Sequence, residues 1–241
     1  MTNSLRPDTF FLNRQVLVVG GSSGIGAGIA AAFAEHGANV TVTGASAAET
    51  NAVTLPVRVL DVRDEAAVRS LIGSFERLDV LVNCAGVIRR QEEHDPAVFA
   101  SVLDINLNGT MRCCAAARPL LKASCGSIVN TASMLSFFGG GLVPGYAASK
   151  GGVAQLTKSL AIAYATDGIR VNALAPGWIA TRLTGPLQDD AQRSAAIIAR
   201  TPMGRWGTPA DVAGAALFLA SPWAAFVTGV VLPVDGGYLI A

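Results

Sequence analysis

Short apolar runs alternate along the chain with longer alanine-rich stretches in which apolar positions recur at helical spacing. Short runs rich in valine, leucine and isoleucine, bounded by glycine or polar residues, are typical of strands buried on both faces of a parallel sheet. They predict seven strands, at residues 15–19, 39–43, 57–60, 80–83, 127–131, 170–174 and 230–234. This alternation of strands and helices predicts an α/β fold with a doubly wound parallel sheet, the Rossmann fold.

Capping residues indicate where the helices begin and end. Gly37 follows a helical stretch over residues 24–36 and suits the left-handed position at a helix C-terminus. Asp95 and Pro96 supply an N-cap and a proline at the first helical position, which opens a helix towards Lys122. Thr208 opens the last helix in the same way.

The remaining connections are less regular. Residues 64–77 and 146–166 are predicted to be helical, whereas residues 176–206 carry glycine, proline and several charges and predict a mobile stretch. The segment after Ser46 is too short and too rich in small residues for a complete crossover helix. We therefore expect a trimmed helix between the second and third strands.

Length and composition narrow the class of protein. A chain of 241 residues suits one large α/β domain over residues 1–241. Its formal net charge of +1, with 15% charged residues, argues against nucleic acid or an anionic membrane as the partner. No apolar run approaches the roughly 20 residues that span a bilayer. Residues 1–14 show no secretory signal, so the expected compartment is the cytoplasm.

The cysteines and histidines do not suggest a metal site. The four cysteines lack a Cys-x-x-Cys spacing, and neither histidine lies at a metal-ligand interval from them. Reduced, structural thiols are expected, and a small molecule is the expected partner.

The first predicted strand leads into a glycine-rich loop that opens a helix. Glycines at positions 20, 24 and 26 allow a sharp turn and leave out the β-carbons that would keep a pyrophosphate from the backbone. Free N–H groups and the helix dipole attract the anion there. A plain tight turn is the alternative. The dinucleotide-binding loop is predicted at Gly20, Ser22, Ser23, Gly24, Ile25 and Gly26.

Tyr146 and Lys150 form a second candidate site. Their i, i+4 spacing places a phenol and an ammonium on one helix face. A phenol has an ordinary pKa of about 10, so it needs a nearby cation to exchange protons near neutral pH. Lys150, together with an oxidised nicotinamide ring, can supply that positive charge.

Several motifs, taken in order, resemble those of the short-chain dehydrogenase/reductase family from about Gln15 to the C-terminus. The run Val19 to Gly26 resembles the family's cofactor loop, with valine where threonine is usual. The run Asn83-Cys84-Ala85-Gly86 resembles its Asn-Asn-Ala-Gly turn, with Cys84 in place of the second asparagine. The full active-site tetrad is matched by Asn106, Ser133, Tyr146 and Lys150.

The resemblance implies a role for each tetrad member. Ser133 would hydrogen-bond the substrate oxygen while Tyr146 transfers the proton, and hydride would pass to or from nicotinamide. Lys150 would lower the tyrosine pKa and hold the nicotinamide ribose. Asn106 would hold a water that relays the proton outwards.

Further cofactor contacts follow from the same resemblance. Asp61 would fix the adenine ring, with Val62 beside it, although an Asx turn is the alternative for the aspartate. Gly44, Ala45 and Ser46 stand where an acid selects NAD and a base selects NADP, and neither is present. The choice between NAD(H) and NADP(H) therefore stays open. The other expected contacts are Asn83, Ala85, Gly86, Tyr146, Lys150, Pro176, Gly177, Ile179 and Thr181.

A narrower resemblance concerns the substrate. The segments around Val87–Arg90, Ala132–Phe137 and Gly204–Gly207 are similar to the branch that contains 2-deoxy-D-gluconate 3-dehydrogenase. It implies a sugar-acid ketone or alcohol, whose carboxylate Arg89 or Arg90 would clamp. Solvated surface arginines are the alternative. Met134, Trp178 and Phe138 would form an apolar wall, or else belong to the core.

Two other functions remain under consideration. A 3-oxoacyl or general carbonyl reductase would need a longer apolar pocket under residues 179–199. A non-catalytic dinucleotide-binding protein is the third alternative, although such a protein would be expected to lack a tetrad residue.

The family resemblance also implies a homotetramer, or a homodimer, packed through the helices that begin near Asp95 and Tyr146 and through the last strand.

Overall fold

Seven parallel strands form the centre of the molecule. The computed structural model describes residues 9–46 and 54–241. Its strands pair in the order β3-β2-β1-β4-β5-β6-β7, and every pairing is parallel. The doubly wound sheet predicted from the sequence is therefore confirmed. The strands are β1 (Gln15–Val19), β2 (Asn39–Gly44), β3 (Val57–Val59), β4 (Val80–Asn83), β5 (Ser127–Thr131), β6 (Arg170–Pro176) and β7 (Val231–Val234).

Helices cover both faces of this sheet. Leu17 and Val19 of β1 belong to one apolar cluster, and Val16 and Val18 belong to another. Since successive side chains of a strand point to opposite faces, both faces of β1 are buried. The helices are α1 (Gly24–Glu35), α2 (Glu65–Gly73), α3 (Pro96–Leu103), α4 (Gly109–Ser124), α5 (Pro144–Tyr164), α6 (Gly185–Gln188), α7 (Ala191–Arg200) and α8 (Pro209–Ala220).

The predicted caps are present. Asp95 accepts hydrogen bonds from the first-turn N–H groups of α3, and Thr208 forms a capping box with Asp211 on α8. Gly37 has a φ of +81°, as its left-handed position requires.

Three helical segments differ from the prediction. The helix predicted from Asp95 towards Lys122 is interrupted by a π-helical turn at Asp104–Asn108. Helix α2 ends at Gly73 rather than at residue 77, because the Ser74 hydroxyl donates to the carbonyl of Leu71 and closes the last turn. Within the stretch expected to be mobile, α7 is a regular helix capped by Asp190. The trimmed helix expected after Ser46 cannot be compared, because residues 47–53 lie outside the described residues.

The order of the strands fixes where a ligand can lie. From β1 the chain moves outwards through β2 and β3, then returns to place β4 on the other side of β1. In such sheets the crevice at the carboxyl ends of the two strands flanking this reversal binds the ligand. The loops after β1, β4, β5 and β6 meet at that edge. Across residues 9–46 and 54–241, no helix is both long and apolar enough to cross a bilayer.

Candidate active site

The glycine-rich loop packs against the loop after β4. Gly20 has a φ of +78°, and a β-carbon there would lie 2.5 Å from the backbone nitrogen of Ala85. At Gly26 a β-carbon would lie 2.2 Å from the carbonyl oxygen of Gly20. Neither position can hold a side chain without moving backbone, so the loop stays close to the sheet edge.

The first turn of α1 is left open to an anion. Ser23 occupies the N-cap position, but in the described part of the chain its side chain makes no capping hydrogen bond, and the first turn of α1 carries no acidic residue. The preceding loop is tied down from β2, because the Gly20 N–H donates to the Thr43 hydroxyl over 3.1 Å. A fixed loop with uncapped helical N–H groups fits a pyrophosphate.

The residues predicted to contact the adenine end of the cofactor lie after β2 and β3. Ala45 and Ser46 are exposed at the end of β2, and Val62 is buried after β3. Asp61 is held by Arg63, whose guanidinium donates over 2.6 Å, and this hydrogen bonding lowers the pKa of the Asp61 carboxyl. Arg63 was not predicted from the sequence, although its position two residues from Asp61 permits this contact.

Ser133, Tyr146 and Lys150 converge below the end of β5. Ser133 caps the 3-10 turn Met134–Ser136, and its side chain acts on the phenol of Tyr146. Lys150 is 4% exposed; its Nζ lies 5.5 Å from the centroid of the Tyr146 ring and donates to the carbonyl of Thr131 over 2.6 Å. The structure thus brings together the serine, phenol and ammonium that the sequence analysis selected.

Burial has the largest effect on the pKa values of both Tyr146 and Lys150 on α5. Burial raises the pKa of Tyr146 and the charge of Glu93 raises it further, while the hydrogen bond from Ser133 acts in the opposite direction. Burial lowers the pKa of Lys150 to about 8. In the chain alone the pKa of Tyr146 is therefore raised, whereas the sequence led us to expect Lys150 to lower it. That expectation included the charge of an oxidised nicotinamide ring.

Asn106 has a different environment from the other three residues. It is fully buried in the π-helical turn, where its amide oxygen accepts from the Val87 N–H over 2.8 Å and its amide nitrogen donates to the Val87 carbonyl over 2.9 Å. The same nitrogen donates to the Ser149 hydroxyl over 3.0 Å. The Asn106 side chain therefore clamps the loop after β4 to α5.

A cavity of about 320 Å³ opens above Ser133 and Tyr146. Arg90, Met134, Phe138 and Trp178, all proposed from the sequence to contact substrate, line it. Arg89 is exposed and is not among the lining residues, which separates the two arginines. The same cavity is also lined by residues predicted to contact the cofactor: Ile25, Pro176, Gly177, Ile179 and Thr181.

Two polar residues at this edge were missed from the sequence. Thr131 holds Lys150 through its carbonyl, and its hydroxyl lies 3.1 Å from the Cys84 sulfur. Glu93 is a buried acid whose carboxylate accepts hydrogen bonds from the backbone of Arg89 and Tyr146. A threonine at a strand end gives a weak signal, and an acid in a loop normally indicates a solvated surface.

Comparison with known proteins agrees with this geometry. The family model described as enoyl-(acyl carrier protein) reductase matches residues 19–239. A 2-dehydro-3-deoxy-D-gluconate 5-dehydrogenase of Bacillus subtilis is 43% identical over 247 residues, covering 96% of this chain and 97% of the relative. The 3-oxoacyl-[acyl-carrier-protein] reductase FabG of Chlamydia muridarum is 38% identical over 250 residues, covering 95% and 99%.

A solved structure gives the same result. The gluconate 5-dehydrogenase from Burkholderia cenocepacia, in complex with NADP and tartrate, superposes with a TM-score of 0.90 at 35% identity, covering 98% of this chain and 99% of that one. The chain belongs to the short-chain dehydrogenase/reductase family. Within that family it is an NAD(P)-dependent oxidoreductase that acts on a small-molecule substrate.

Proposed function

We propose that the enzyme interconverts a secondary alcohol and a ketone, with Tyr146 as the group that transfers the proton. The observation that carries this proposal is the position of Tyr146, which lines the cavity together with Ser133 and has the Lys150 Nζ 5.5 Å from its ring centroid. During alcohol oxidation the Tyr146 oxygen takes the hydroxyl proton, and during ketone reduction it returns that proton. Ser133 holds the same substrate oxygen in place.

Lys150 and Asn106 support this proton transfer. The ammonium of Lys150 favours the ionised phenol of Tyr146 electrostatically, and it can also hydrogen-bond a nicotinamide ribose. In the sequence analysis Asn106 was expected to hold a relay water. Its side chain already binds Val87 and Ser149, so we propose that it acts by fixing the loop after β4.

The residues at the sheet edge fit a nicotinamide dinucleotide. When bound, that cofactor accepts or gives the hydride. The glycine loop and the start of α1 would hold its pyrophosphate, and Asp61 and Val62 its adenine. Pro176, Gly177, Ile179 and Thr181 would hold the nicotinamide end. Asn83, Ala85 and Gly86 would form the floor beneath the riboses, and Gly44, Ala45 and Ser46 would border the adenine ribose.

For the substrate we propose a sugar acid or its ketone, such as 2-dehydro-3-deoxy-D-gluconate or 2-deoxy-D-gluconate. Arg90 lines the cavity that contains Tyr146, and among the described residues no carboxylate forms a salt bridge with it. A free guanidinium can bind a carboxylate through two parallel hydrogen bonds. Relatives named for sugar-acid oxidation or reduction support this assignment.

A 3-oxoacyl thioester is the second candidate, and one observation favours it. The cavity wall is largely apolar, with Met134, Leu135, Phe138, Leu142 and Trp178 around the opening. An acyl chain would bury apolar surface against such a wall.

Steady-state turnover distinguishes the two substrates. The purified enzyme is supplied with 2-dehydro-3-deoxy-D-gluconate and either NAD+ or NADP+ for alcohol oxidation, and with acetoacetyl-CoA and either NADH or NADPH for ketone reduction. We expect kcat/KM for the sugar acid to exceed that for the thioester by about 100-fold or more. The reverse order would assign the enzyme to 3-oxoacyl reduction. No turnover of either compound by protein that binds cofactor would favour the non-catalytic alternative.

We also propose a homotetramer, with a homodimer as the alternative, and a cytoplasmic location. Exposed apolar side chains at Ile162, Trp223, Phe226 and Ile240 support self-association. The cysteines at positions 84, 113, 114 and 125 are unpaired thiols, which suits a reducing compartment. Sedimentation equilibrium measures the assembly, and a monomer at micromolar concentration would contradict it.

A further inference from the structure

Glu93 is a buried acid that forms no salt bridge with any described residue. It is 1% exposed, and none of the salt bridges in residues 9–46 and 54–241 includes it. Its two carboxylate oxygens instead accept backbone hydrogen bonds, Oε1 from the Arg89 N–H over 2.7 Å and Oε2 from the Tyr146 N–H over 2.7 Å. A buried carboxylate is costly to keep, so its surroundings must be specific.

Glu93 supplies a cap that α5 cannot make locally. The N-cap residue of α5 is Val143, whose side chain cannot accept a hydrogen bond, and Pro144 at the first position has no N–H. The carboxylate reaches the third residue of the helix, Tyr146, from 53 positions away in the sequence. Negative charge at a helix N-terminus is also stabilised by the helix dipole.

The neighbouring glycine makes room for this carboxylate. A β-carbon at Gly145 would lie 3.3 Å from Oε2 of Glu93 and 3.2 Å from Cδ2 of Phe99. A methyl group there would press on both side chains. The approach of Glu93 to α5 thus depends on a residue without a side chain immediately before Tyr146.

The two backbone groups that Glu93 holds belong to the two sides of the active site. One is the N–H of Tyr146 itself, and the other is in Arg89, directly before the cavity-lining Arg90. We propose that Glu93 is a positioning residue. Its single carboxylate fixes Tyr146, the proton-transfer residue, relative to the loop after β4 that carries Arg90. This inference rests on the proposed role of Tyr146 as the acid/base.

The charge of Glu93 adds an electrostatic effect that a neutral spacer would not have. The charged groups near the phenol are Glu93 on the turn before α3, Lys150 on α5 and Arg90 on the loop after β4; Cys84 at the end of β4 interacts with Lys150. The negative charge of Glu93 raises the pKa of Tyr146. Replacing it by a neutral group must therefore lower that pKa.

Glu93→Gln tests the positioning role kinetically. One amide oxygen can accept only one of the two bonds, and the amide NH₂ faces the other N–H. We expect the pH-independent plateau of kcat to fall about ten-fold, since small displacements of an acid/base group are costly. The cofactor Kd should stay within about two-fold, and the acidic limb of the pH profile for alcohol oxidation, where Tyr146 becomes protonated, should move to lower pH. Asp95→Asn, which alters an exposed acidic cap two residues away, should leave all three quantities unchanged.

A second readout needs no substrate. The chain has three tyrosines, so ¹³Cζ-tyrosine labelling gives three NMR resonances, and Tyr146→Phe assigns one of them. The Tyr146 resonance should titrate at a lower pH in Glu93→Gln than in the wild type, and at the wild-type pH in Asp95→Asn. A cap that serves stability alone would lower Tm without moving this titration.

The outcomes separate the two proposals. An unchanged Tyr146 titration with an unchanged kcat plateau in Glu93→Gln overturns the positioning role, whatever the substrate. If neither sugar acid nor thioester is turned over, the substrate assignment fails, whereas the NMR titration still decides the role of Glu93. If Glu93→Gln does not fold, Gly145→Ala replaces it: a several-fold lower kcat with intact cofactor binding supports the role, and wild-type kcat overturns it.

Discussion

Two buried carboxylates at opposite edges of the sheet are satisfied in different ways. Asp79 precedes β4 at the amino edge, where Arg14 and Arg77 both donate to it over 2.7 Å and the Gln15 N–H over 2.9 Å. Glu93 lies at the carboxyl edge and, among the described residues, accepts hydrogen bonds from two backbone N–H groups, those of Arg89 and Tyr146.

The different surroundings of Asp79 and Glu93 indicate that the first carboxylate serves stability and the second serves catalysis. Burial alone would raise the pKa of Asp79, but the hydrogen bonds from Arg77, Gln15 and Arg14 lower it overall, so its charge is neutralised locally. The charge of Glu93 is matched by no salt bridge within residues 9–46 and 54–241, and it acts on Tyr146. We therefore expect changes at the carboxyl edge to reduce activity and changes at the amino edge to reduce stability.

Tyr146→Phe should give the largest effect. Removing the phenol oxygen removes the proton donor and acceptor, and kcat should fall about 10³-fold. Thermal stability and the Kd for NADPH, measured by quenching of tryptophan fluorescence, should stay near wild type because the ring is retained. Activity within ten-fold of wild type would show that another group transfers the proton.

Lys150→Met should reduce activity and yet relieve a cost to stability. The pKa of Lys150 is about 8 in the folded protein, against an ordinary 10.5. Between pH 8 and pH 10.5 the side chain is therefore protonated in the unfolded chain and largely neutral in the folded one. Wild-type stability relative to Lys150→Met should therefore rise by about 3 kcal/mol as the pH increases from 8 to 10.5.

Chemical denaturation of both proteins at several pH values measures this difference. The thiols of Cys113 and Cys114 also have raised pKa values, but their contribution to the pH dependence of stability is the same in both proteins and cancels in the difference. A pH-independent difference would mean that Lys150 titrates normally in the fold. The variant should also bind cofactor more weakly, because the ribose contact is lost.

Asp79→Asn should reduce stability without affecting catalysis. The buried position loses an ion pair with two half-exposed arginines, and the free energy of unfolding should fall by about 2 kcal/mol at pH 7. Because the folded-state pKa of Asp79 is lowered, this stabilisation is present above pH 3.8 and is lost as the pH falls through the folded-state value. Urea titration at pH 7 and pH 3 measures it, with kcat as the control.

The fold was predictable because its signals are local. Strands such as β1 are continuous apolar runs, and the caps at Asp95 and Thr208 depend on neighbouring residues. The π-helical turn at Asp104–Asn108 was not predicted, because no proline or glycine within it marks the extra residue. Helix α7 was obscured by the glycines and prolines around it, although Asp190 and the apolar pair Ile197-Ile198 indicate a capped amphipathic helix.

The site was predictable only in part, for a related reason. Tyr146 and Lys150 share a helix face, so their spacing alone suggested an interaction, and the family resemblance added Ser133 and Asn106. Glu93 contacts Tyr146 across 53 residues, and nothing in the local sequence distinguishes it from a solvated acid. The separation of Arg89 from Arg90 likewise depends on the course of a loop that composition does not determine.

The smallest predicted effect is a change in KM, and it comes from comparing Arg89 with Arg90, which both lie at the carboxyl edge of the sheet. Arg90 lines the cavity and Arg89 does not, so Arg90→Ala should raise KM for 2-dehydro-3-deoxy-D-gluconate about ten-fold, while Arg89→Ala leaves it unchanged. A neutral ketone such as acetoin should show the same KM with all three proteins, because it has no carboxylate to bind. Equal increases for the acid and the neutral ketone would mean that Arg90 shapes the cavity rather than binding charge.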